Sequence, residues 1–98
     1  NRPTAVLARH DLVAFGAMRA ILAAGLSIPN NIYLVGNGDI PHLDLLRVPL
    51  TTVRHPQVQM AATGAKRLLD MLSGKRVKPE TELLEVELII RSSCAPPQ

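Results

Sequence analysis

A long apolar helical stretch lies between two short runs of strand-forming residues. Residues 12–24 carry a single charge, Arg19, and Asp11 directly before them is a typical helix N-cap residue. Residues 4–8 and 32–35 are typical of buried strands. Strand, helix and strand with short loops predict a βαβ unit with parallel strands and a right-handed crossover, and therefore an α/β fold. A helix that is apolar on nearly all sides is expected to be covered on nearly all sides.

The second half of the chain continues the alternation of strands and helices. Residues 41–49 mix leucines with turn residues and predict a short helical turn or an irregular segment. Residues 50–54 predict a β-branched strand, and residues 56–73 place alanines and leucines on one face of a helix. Residues 83–91 alternate between apolar and charged side chains, as a strand does. Residues 92–98 are expected to form a frayed tail.

Composition and charge exclude several classes of protein. The net charge is +3, but the eleven Lys and Arg residues are spread along the chain, which favours a solvated surface over a nucleic-acid interface here. The single cysteine, Cys94, cannot form an internal disulfide, which fits a reducing cytosol. No apolar stretch reaches the roughly 20 residues needed to span a bilayer.

Polar residues that could bind a ligand stand at the ends of the predicted strands. After residues 32–35 the sequence continues with two glycines that frame Asn37 and precede Asp39. Glycines at this point either admit a close ligand or form a tight turn that needs positive φ. A third glycine is missing, so the pattern is not a dinucleotide fingerprint. His10 and His55 also follow predicted strands, where each lines a cleft or meets solvent.

No residue set for catalysis or metal binding emerges. The spacing of His10, Asp39 and His55 matches no metal-site pattern, so a structural or ligand-bonding role is favoured. The chain has no G-x-S-x-G motif and no nucleophile with a base and an orienting group. The sequence predicts binding without catalytic residues, a metal or a cofactor.

Seven short motifs follow one another along the chain and carry a family resemblance. In order they are Pro3-Thr4-Ala5, His10-Asp11, Gly16-Ala17-Met18-Arg19-Ala20, Gly25-Leu26-Ser27-Ile28-Pro29, Val35-Gly36-Asn37-Gly38-Asp39, Pro49-Leu50-Thr51-Thr52-Val53 and Leu88-Ile89-Ile90-Arg91-Ser92-Ser93. Together they resemble the closing third of LacI/GalR-family bacterial transcription regulators, over essentially the whole chain. The resemblance implies a parallel-sheet, type I periplasmic-binding-protein-like core of two α/β subdomains with an effector in the cleft between them.

The resemblance also implies how the chain is divided. Residues 1–53 would belong to the C-terminal subdomain, and residues 54–56 would form a crossover. Residues 57–82 would contribute a helix to the N-terminal subdomain, and residues 83–98 would be the return strand and tail. The helix would then lack the sheet on which it packs. The DNA-binding helix-turn-helix of the family would lie upstream.

Effector contacts are implied where positions match the family pattern. His10 takes the place of an asparagine that often bonds the effector, and His55 takes a common glutamine position. Gly38 replaces the first aspartate of the V-G-[FY]-D-D pattern, Asn37 replaces the aromatic residue before it, and Asp39 keeps the second aspartate. These five residues are the predicted effector site. Imidazoles bond hydroxyls or, when protonated, a carboxylate, so the implied ligand is a small polar sugar or sugar acid.

The implied function is the effector-sensing and dimerisation part of a cytoplasmic, DNA-binding transcription regulator. Effector binding would shift the populations of two subdomain arrangements, and a homodimer would pass the shift to operator DNA through the upstream domain. No membrane partner is expected. One alternative is a periplasmic sugar-binding transport receptor, and another is a small metal-dependent α/β enzyme that uses His10, Asp39 and His55.

An apolar stretch after the predicted effector site is the candidate dimer interface. Four residues form it: Leu43, Leu45, Leu46 and Val48. Ordinary core packing accounts for the same apolar side chains equally well.

Overall fold

A computed structural model describes residues 2–96 of the chain, and it alternates strands and helices as predicted. The elements are β1 (Ala5–Leu7), α1 (Asp11–Ala23), β2 (Tyr33–Val35), a single 3-10 turn (Leu43–Leu45), β3 (Thr52–Arg54), α2 (Gln57–Leu72) and β4 (Glu87–Ile89). The α/β class is confirmed. The strand predicted over residues 83–91 is shorter than expected, because only β4 finds a partner strand.

The strands pair in the order of the chain. β1 and β2 are parallel, with Leu7 opposite Val35. An isolated parallel bridge between Gly38 and Arg54 joins the end of β2 to β3. β3 and β4 are antiparallel, with Arg54 opposite Glu87. The three parallel segments therefore have their carboxyl ends at one edge, where ligands bind in open α/β sheets.

The chain divides into two compact units. Unit 1 holds the chain up to Arg54 and again from Glu87 onward, and unit 2 is His55–Val86. The assignment of these units to the C-terminal and N-terminal subdomains of a larger core stays a prediction.

Unit 1 has a core between one face of α1 and the strands. Ala14, Met18 and Ile21 recur at helical spacing on α1 and are buried. The remaining buried apolar residues come from the strands and loops: Ala8, Ile28, Ile32, Leu34, Leu43 and Leu50.

The expectation that α1 is covered on nearly all sides is wrong. Leu12 and Val13, on its first turn, are exposed. The strands and loops of unit 1 bury one face of the helix, and Phe15, Ala17 and Leu22 pack only partly against that core.

Unit 2 consists of α2 and the segment that follows it. No residue of α2 is buried, and its exposed apolar side chains include Leu68, Leu69 and Leu72. The following segment is held by Arg67, whose Nη2 lies 2.6 Å from a carboxylate oxygen of Glu80. The helical periodicity predicted for residues 56–73 is confirmed, but the apolar face that it creates has no cover among the described residues.

The prediction of a frayed tail is wrong for the part of the tail that the structure describes. Ser93 is fully buried, and its carbonyl accepts a hydrogen bond of 3.0 Å from the amide of Leu34. Further along, the hydroxyl of Tyr33 donates to the carbonyl of Pro96 at 3.1 Å. Positions 97 and 98 of the predicted tail lie outside the described residues. Hydrogen bonds to β2, which lies far away in sequence, order this segment.

Candidate functional site

The carboxyl ends of β1 and β2 bring four of the predicted effector residues together. The amide of Asp11, next to His10, donates to the carbonyl of Asn37 at 3.2 Å. The amide of Gly38 donates to the carbonyl of Val53 at 2.8 Å, which joins this edge to β3. His10 is exposed beside them. His10, Asn37, Gly38 and Asp39 therefore share one edge of unit 1, whereas His55 belongs to unit 2 and is half-buried there.

Asp11 has a different role from the one that the sequence predicts. The N-cap residue of α1 is His10, which makes no capping hydrogen bond with its side chain, and Asp11 is the first helical residue. Asp11 is 1% exposed. One carboxylate oxygen accepts the amide of Ile40 at 2.9 Å, and the other accepts the hydroxyl of Thr52 at 2.7 Å. Asp11 therefore ties the start of α1 to the loop after β2 and to β3.

The side chain of Asp11 lies at the start of a helix, where backbone donors are available. The first turn of a helix presents unpaired amide groups and the positive end of the helix dipole, both of which stabilise a carboxylate. Hydrogen bonds to an ionised group contribute about 1.5–3 kcal/mol each, more than hydrogen bonds between neutral groups. These interactions offset part of the cost of burying the charge of Asp11.

The two glycines after β2 serve different purposes. A Cβ atom on Gly36 would overlap Oδ1 of Asp11 and lie 2.9 Å from Cδ2 of Leu50. Gly36 therefore makes room for the buried carboxylate. Gly38 has a φ of +126°, which residues with a side chain rarely adopt, and Asp39 follows with a φ of 56°. The tight turn with positive φ is thus present, and a protein carboxylate occupies the space beside Gly36.

Asp39 is held by two arginines. Nε of Arg54 lies 2.7 Å from one carboxylate oxygen, and Nη2 of Arg91 lies 2.9 Å from the other. The Asp39 side chain is 9% exposed. Burial acts to raise the pKa of Asp39, but the hydrogen bonds and charges of Arg54 and Arg91 outweigh it and lower the pKa below its usual value.

Two residues of this region were missed as functional candidates. Arg91 also donates from Nη1 to the carbonyl of Leu50 at 2.9 Å. The Ser93 hydroxyl donates to the carbonyl of Leu34 and accepts the amide of Thr51 at 2.9 Å. The signal that could have found Arg91 and Ser93 is their place in the last of the seven motifs.

The four residues of the candidate dimer interface lie in different environments. Leu43 is buried in the core of unit 1, and Leu46 and Val48 are half-buried against it. Leu45 is 74% exposed. Core packing therefore accounts for Leu43, and an interface role for the stretch stays a prediction that depends mainly on Leu45.

Unit 2 contains a cavity of about 420 Å³ between α2 and the segment that follows it. Arg67 closes one side through its hydrogen bonds to Glu80 and Glu82, of 2.6 and 3.3 Å. The hydrogen bond that Arg67 donates to Glu80 is the main cause of the raised pKa of Arg67. The cavity is lined by His55, Met60, Thr63, Gly64, Arg67, Glu80, Glu82, Leu83, Leu84 and Val86.

Within residues 2–96, no three His, Cys, Asp or Glu side chains are grouped as a metal site requires. In the same range, neither helix has the length and apolar character needed to cross a membrane.

Comparison with known proteins places this fold in one class. Residues 1–94 match the family described as "Periplasmic binding protein-like domain". The protein named "Probable HTH-type transcriptional repressor ExuR", from Bacillus subtilis, is 38% identical over 93 residues, which cover 95% of this chain and 28% of that protein. The chain therefore spans less than a third of the length of this relative.

Solved structures give the same result. A LacI family transcriptional regulator from Lactobacillus casei with bound sucrose is 35% identical, with a TM-score of 0.80, and the match covers 95% of this chain and 34% of that one. A lac repressor dimer bound to operator and an anti-inducer is 37% identical, with a TM-score of 0.84, and the match covers 93% of this chain and 32% of that one.

The fold thus defines a periplasmic-binding-protein-like α/β domain, and the predicted type of fold is confirmed. Within that class, the chain belongs to the effector-binding domains of LacI-family transcriptional regulators. The relatives are transcriptional repressors and regulators, which supports the prediction that the domain is not an enzyme.

Proposed function

We propose that this chain is the effector-sensing part of a cytoplasmic, sugar-responsive transcription regulator, and that His10, Asn37 and Gly38 contact a small polar ligand. The observation that carries the proposal is the convergence of these residues at the carboxyl ends of β1 and β2, beside β3. This is the edge where ligands bind in open α/β sheets. Sucrose bound to the Lactobacillus casei regulator, 35% identical to this chain, supports a sugar-like ligand.

The imidazole of His10 is suited to such a ligand. It is exposed and has no capping hydrogen bond to α1, so it is available to a hydroxyl or carboxylate. His55 follows the end of β3 directly and is the second proposed imidazole contact. Asn37 adds an amide that both donates and accepts hydrogen bonds.

The regulator would act as a homodimer on operator DNA through a domain outside this chain. The dimer and its operator are features of the lac repressor complex, which is 37% identical to this chain. Leu45 and its neighbours Leu46 and Val48 are the proposed contact between the two copies, because Leu45 is a large apolar side chain that is mostly exposed.

The proposal is tested with the full-length protein and matched sugars. Sucrose, glucose and galacturonate are titrated by calorimetry, and release of operator DNA is measured at the same concentrations. His10→Ala is expected to weaken sugar binding by about 1–3 kcal/mol, because a hydrogen bond to the ligand is lost. Arg9→Ala, at the exposed neighbour, is the control. Unchanged binding by His10→Ala and His55→Ala would remove both residues from the site.

A secretory signal upstream, with sugar binding but no affinity for DNA, would identify a transport receptor instead. Zinc binding that is lost in His10→Ala would support an enzyme. Neither result is expected for a transcription regulator.

A further inference from the structure

The chain crosses between the two units twice, and residues beside both crossings contact the carboxylate of Asp39. The chain leaves unit 1 after Arg54 and returns at Glu87. Arg54 lies 2.7 Å from Asp39, and it also faces Glu87 across the β3–β4 pair, with Nη1 and Oε2 3.6 Å apart. Arg91, on the returning segment, lies 2.9 Å from the other oxygen of Asp39. The outgoing and returning segments are therefore held by the same side chain.

The backbone on both sides of Asp39 is fixed within unit 1. Before it, the amide of Gly38 donates to the carbonyl of Val53 at 2.8 Å. After it, the amide of Ile40 donates to the buried carboxylate of Asp11 at 2.9 Å. Asp39 is thus a short, rigid link between the turn after β2 and the two crossing segments.

The two ion pairs differ in how far solvent weakens them. The Arg91 side chain is 17% exposed, so its pair with the 9% exposed Asp39 is partly shielded from water. The Arg54 side chain is 51% exposed, and ion pairs of such exposed groups contribute little to stability. The Arg91 contact therefore fixes Asp39, while the Arg54 contact is the one that a small displacement can break.

We propose that Asp39 is a positioning residue that couples the ligand-binding edge to the two crossing segments, and that it does not itself contact the effector. Each of its oxygens already accepts a hydrogen bond from an arginine, and the side chain is only 9% exposed, which leaves little surface for a ligand hydroxyl. A ligand bound at His10 and Asn37 moves the adjacent turn, and Asp39 transfers that displacement to Arg54. This inference rests on the proposed function, because it assigns a role within the same effector site.

The first test uses the full-length protein without ligand. In Asp39→Asn, amide hydrogen exchange in residues 52–54 and 87–89 is expected to become about tenfold faster, because the segments lose their charged anchor. Exchange in the middle of α1 should stay unchanged. The control is Asp44→Asn, an exposed acid five positions further on. Unchanged exchange in the crossing segments, or equal acceleration throughout unit 1, would overturn the anchoring role.

The second test separates coupling from ligand contact, with sucrose and galacturonate as probes. In Asp39→Asn, the Kd for sugar is expected to stay within about threefold of that of the unmodified protein. The change in operator affinity that the sugar causes is expected to be about tenfold smaller. Arg54→Gln should likewise leave the Kd for sugar nearly unchanged and reduce the operator response. The double variant should reduce the operator response no further than either single variant, since both substitutions remove the same contact. A Kd that rises more than tenfold with an intact operator response would show that Asp39 is a ligand contact.

The two proposals fail in different ways. If neither sugar binds the unmodified protein, the proposed sugar ligand is wrong, and hydrogen exchange alone decides whether Asp39 anchors the crossing segments. If the sugars bind and the variants keep the full operator response, only the coupling role of Asp39 is wrong.

Discussion

Unit 1 buries nine apolar side chains in one cluster, whereas no residue of α2 in unit 2 is buried. Both α1 and α2 have apolar residues at helical spacing, so periodicity alone does not separate them. The difference is that α1 packs on strands of the same unit. Most of the stability of a helix in a protein comes from such packing. Apolar residues at helical spacing therefore form a core only where a second element packs against that face of the helix.

The largest expected effect compares one leucine from each unit. In the 98-residue chain, Leu34→Ala should lower the free energy of unfolding by about 2–5 kcal/mol, because Leu34 is fully buried and leaves a cavity. Leu69→Ala, at a residue 65% exposed, should change it by about 0.5 kcal/mol or less. Urea unfolding followed by circular dichroism measures both. Equal losses would show that α2 is packed as well as α1.

The same two substitutions can be measured in the full-length protein. If residues outside this chain cover α2, Leu69→Ala should cost as much there as Leu34→Ala. An equally small loss in both contexts would mean that the apolar face of α2 stays exposed.

The next effect concerns a buried polar contact of unit 1, whereas the ion pair of Arg67 in α2 is exposed. Asp11→Ala should destabilise unit 1 by about 3 kcal/mol, because the amide of Ile40 and the hydroxyl of Thr52 lose a charged acceptor. Asp44→Ala, which removes an exposed carboxylate, is the matched control. Thermal unfolding of the two variants measures the difference. Equal melting temperatures would contradict a structural role of Asp11.

A smaller effect is expected at the end of the chain. Ser93→Ala removes the hydroxyl that bonds the carbonyl of Leu34 and the amide of Thr51, and should cost about 1–2 kcal/mol. Ser92→Ala, at an exposed neighbour whose backbone bond remains, should be neutral. Denaturant midpoints distinguish the two. A neutral Ser93→Ala would contradict a stabilising role of this hydroxyl.

The smallest effect is a dependence on pH. The pKa of Asp39 is lowered in the folded chain, so its ion pairs contribute stability that is fully present above its unfolded pKa of about 4. That contribution is lost as the pH falls through the lower, folded pKa. Unfolding free energies measured from pH 7 down to pH 3 should therefore fall more steeply for the unmodified chain than for Asp39→Asn. Parallel curves would contradict the assignment.

The alternation of elements was predictable because it is encoded locally. Strand-forming runs and helical spacing each span only a few residues, so β1, α1, β2, β3 and α2 could be located from the sequence. The exposed start of α1 and the shortened β4 could not, because both depend on which elements pack beside them.

The position of the candidate site was predictable, but its internal contacts were not. Residues that follow parallel strands meet at one edge, which located His10 and the turn at residues 37–39. The partners of Asp11 are 29 and 41 positions away, and Arg91 is 52 positions from Asp39. Local periodicity carries no information on pairs so far apart. The N-cap role predicted for Asp11 was wrong for this reason.

The hydroxyl of Ser93 reaches a carbonyl 59 positions earlier in the chain, and this has a consequence for synthesis on the ribosome. The 32 residues of His55–Val86 must be translated before β4 and Ser93 can join β2 and β3. At about 5–20 residues per second, that interval lasts roughly 2–6 seconds. During that time the nascent first half exposes the edge of β3 and the backbone groups of β2 that Ser93 later pairs with. Chaperones that bind unpaired strand edges would act during this interval.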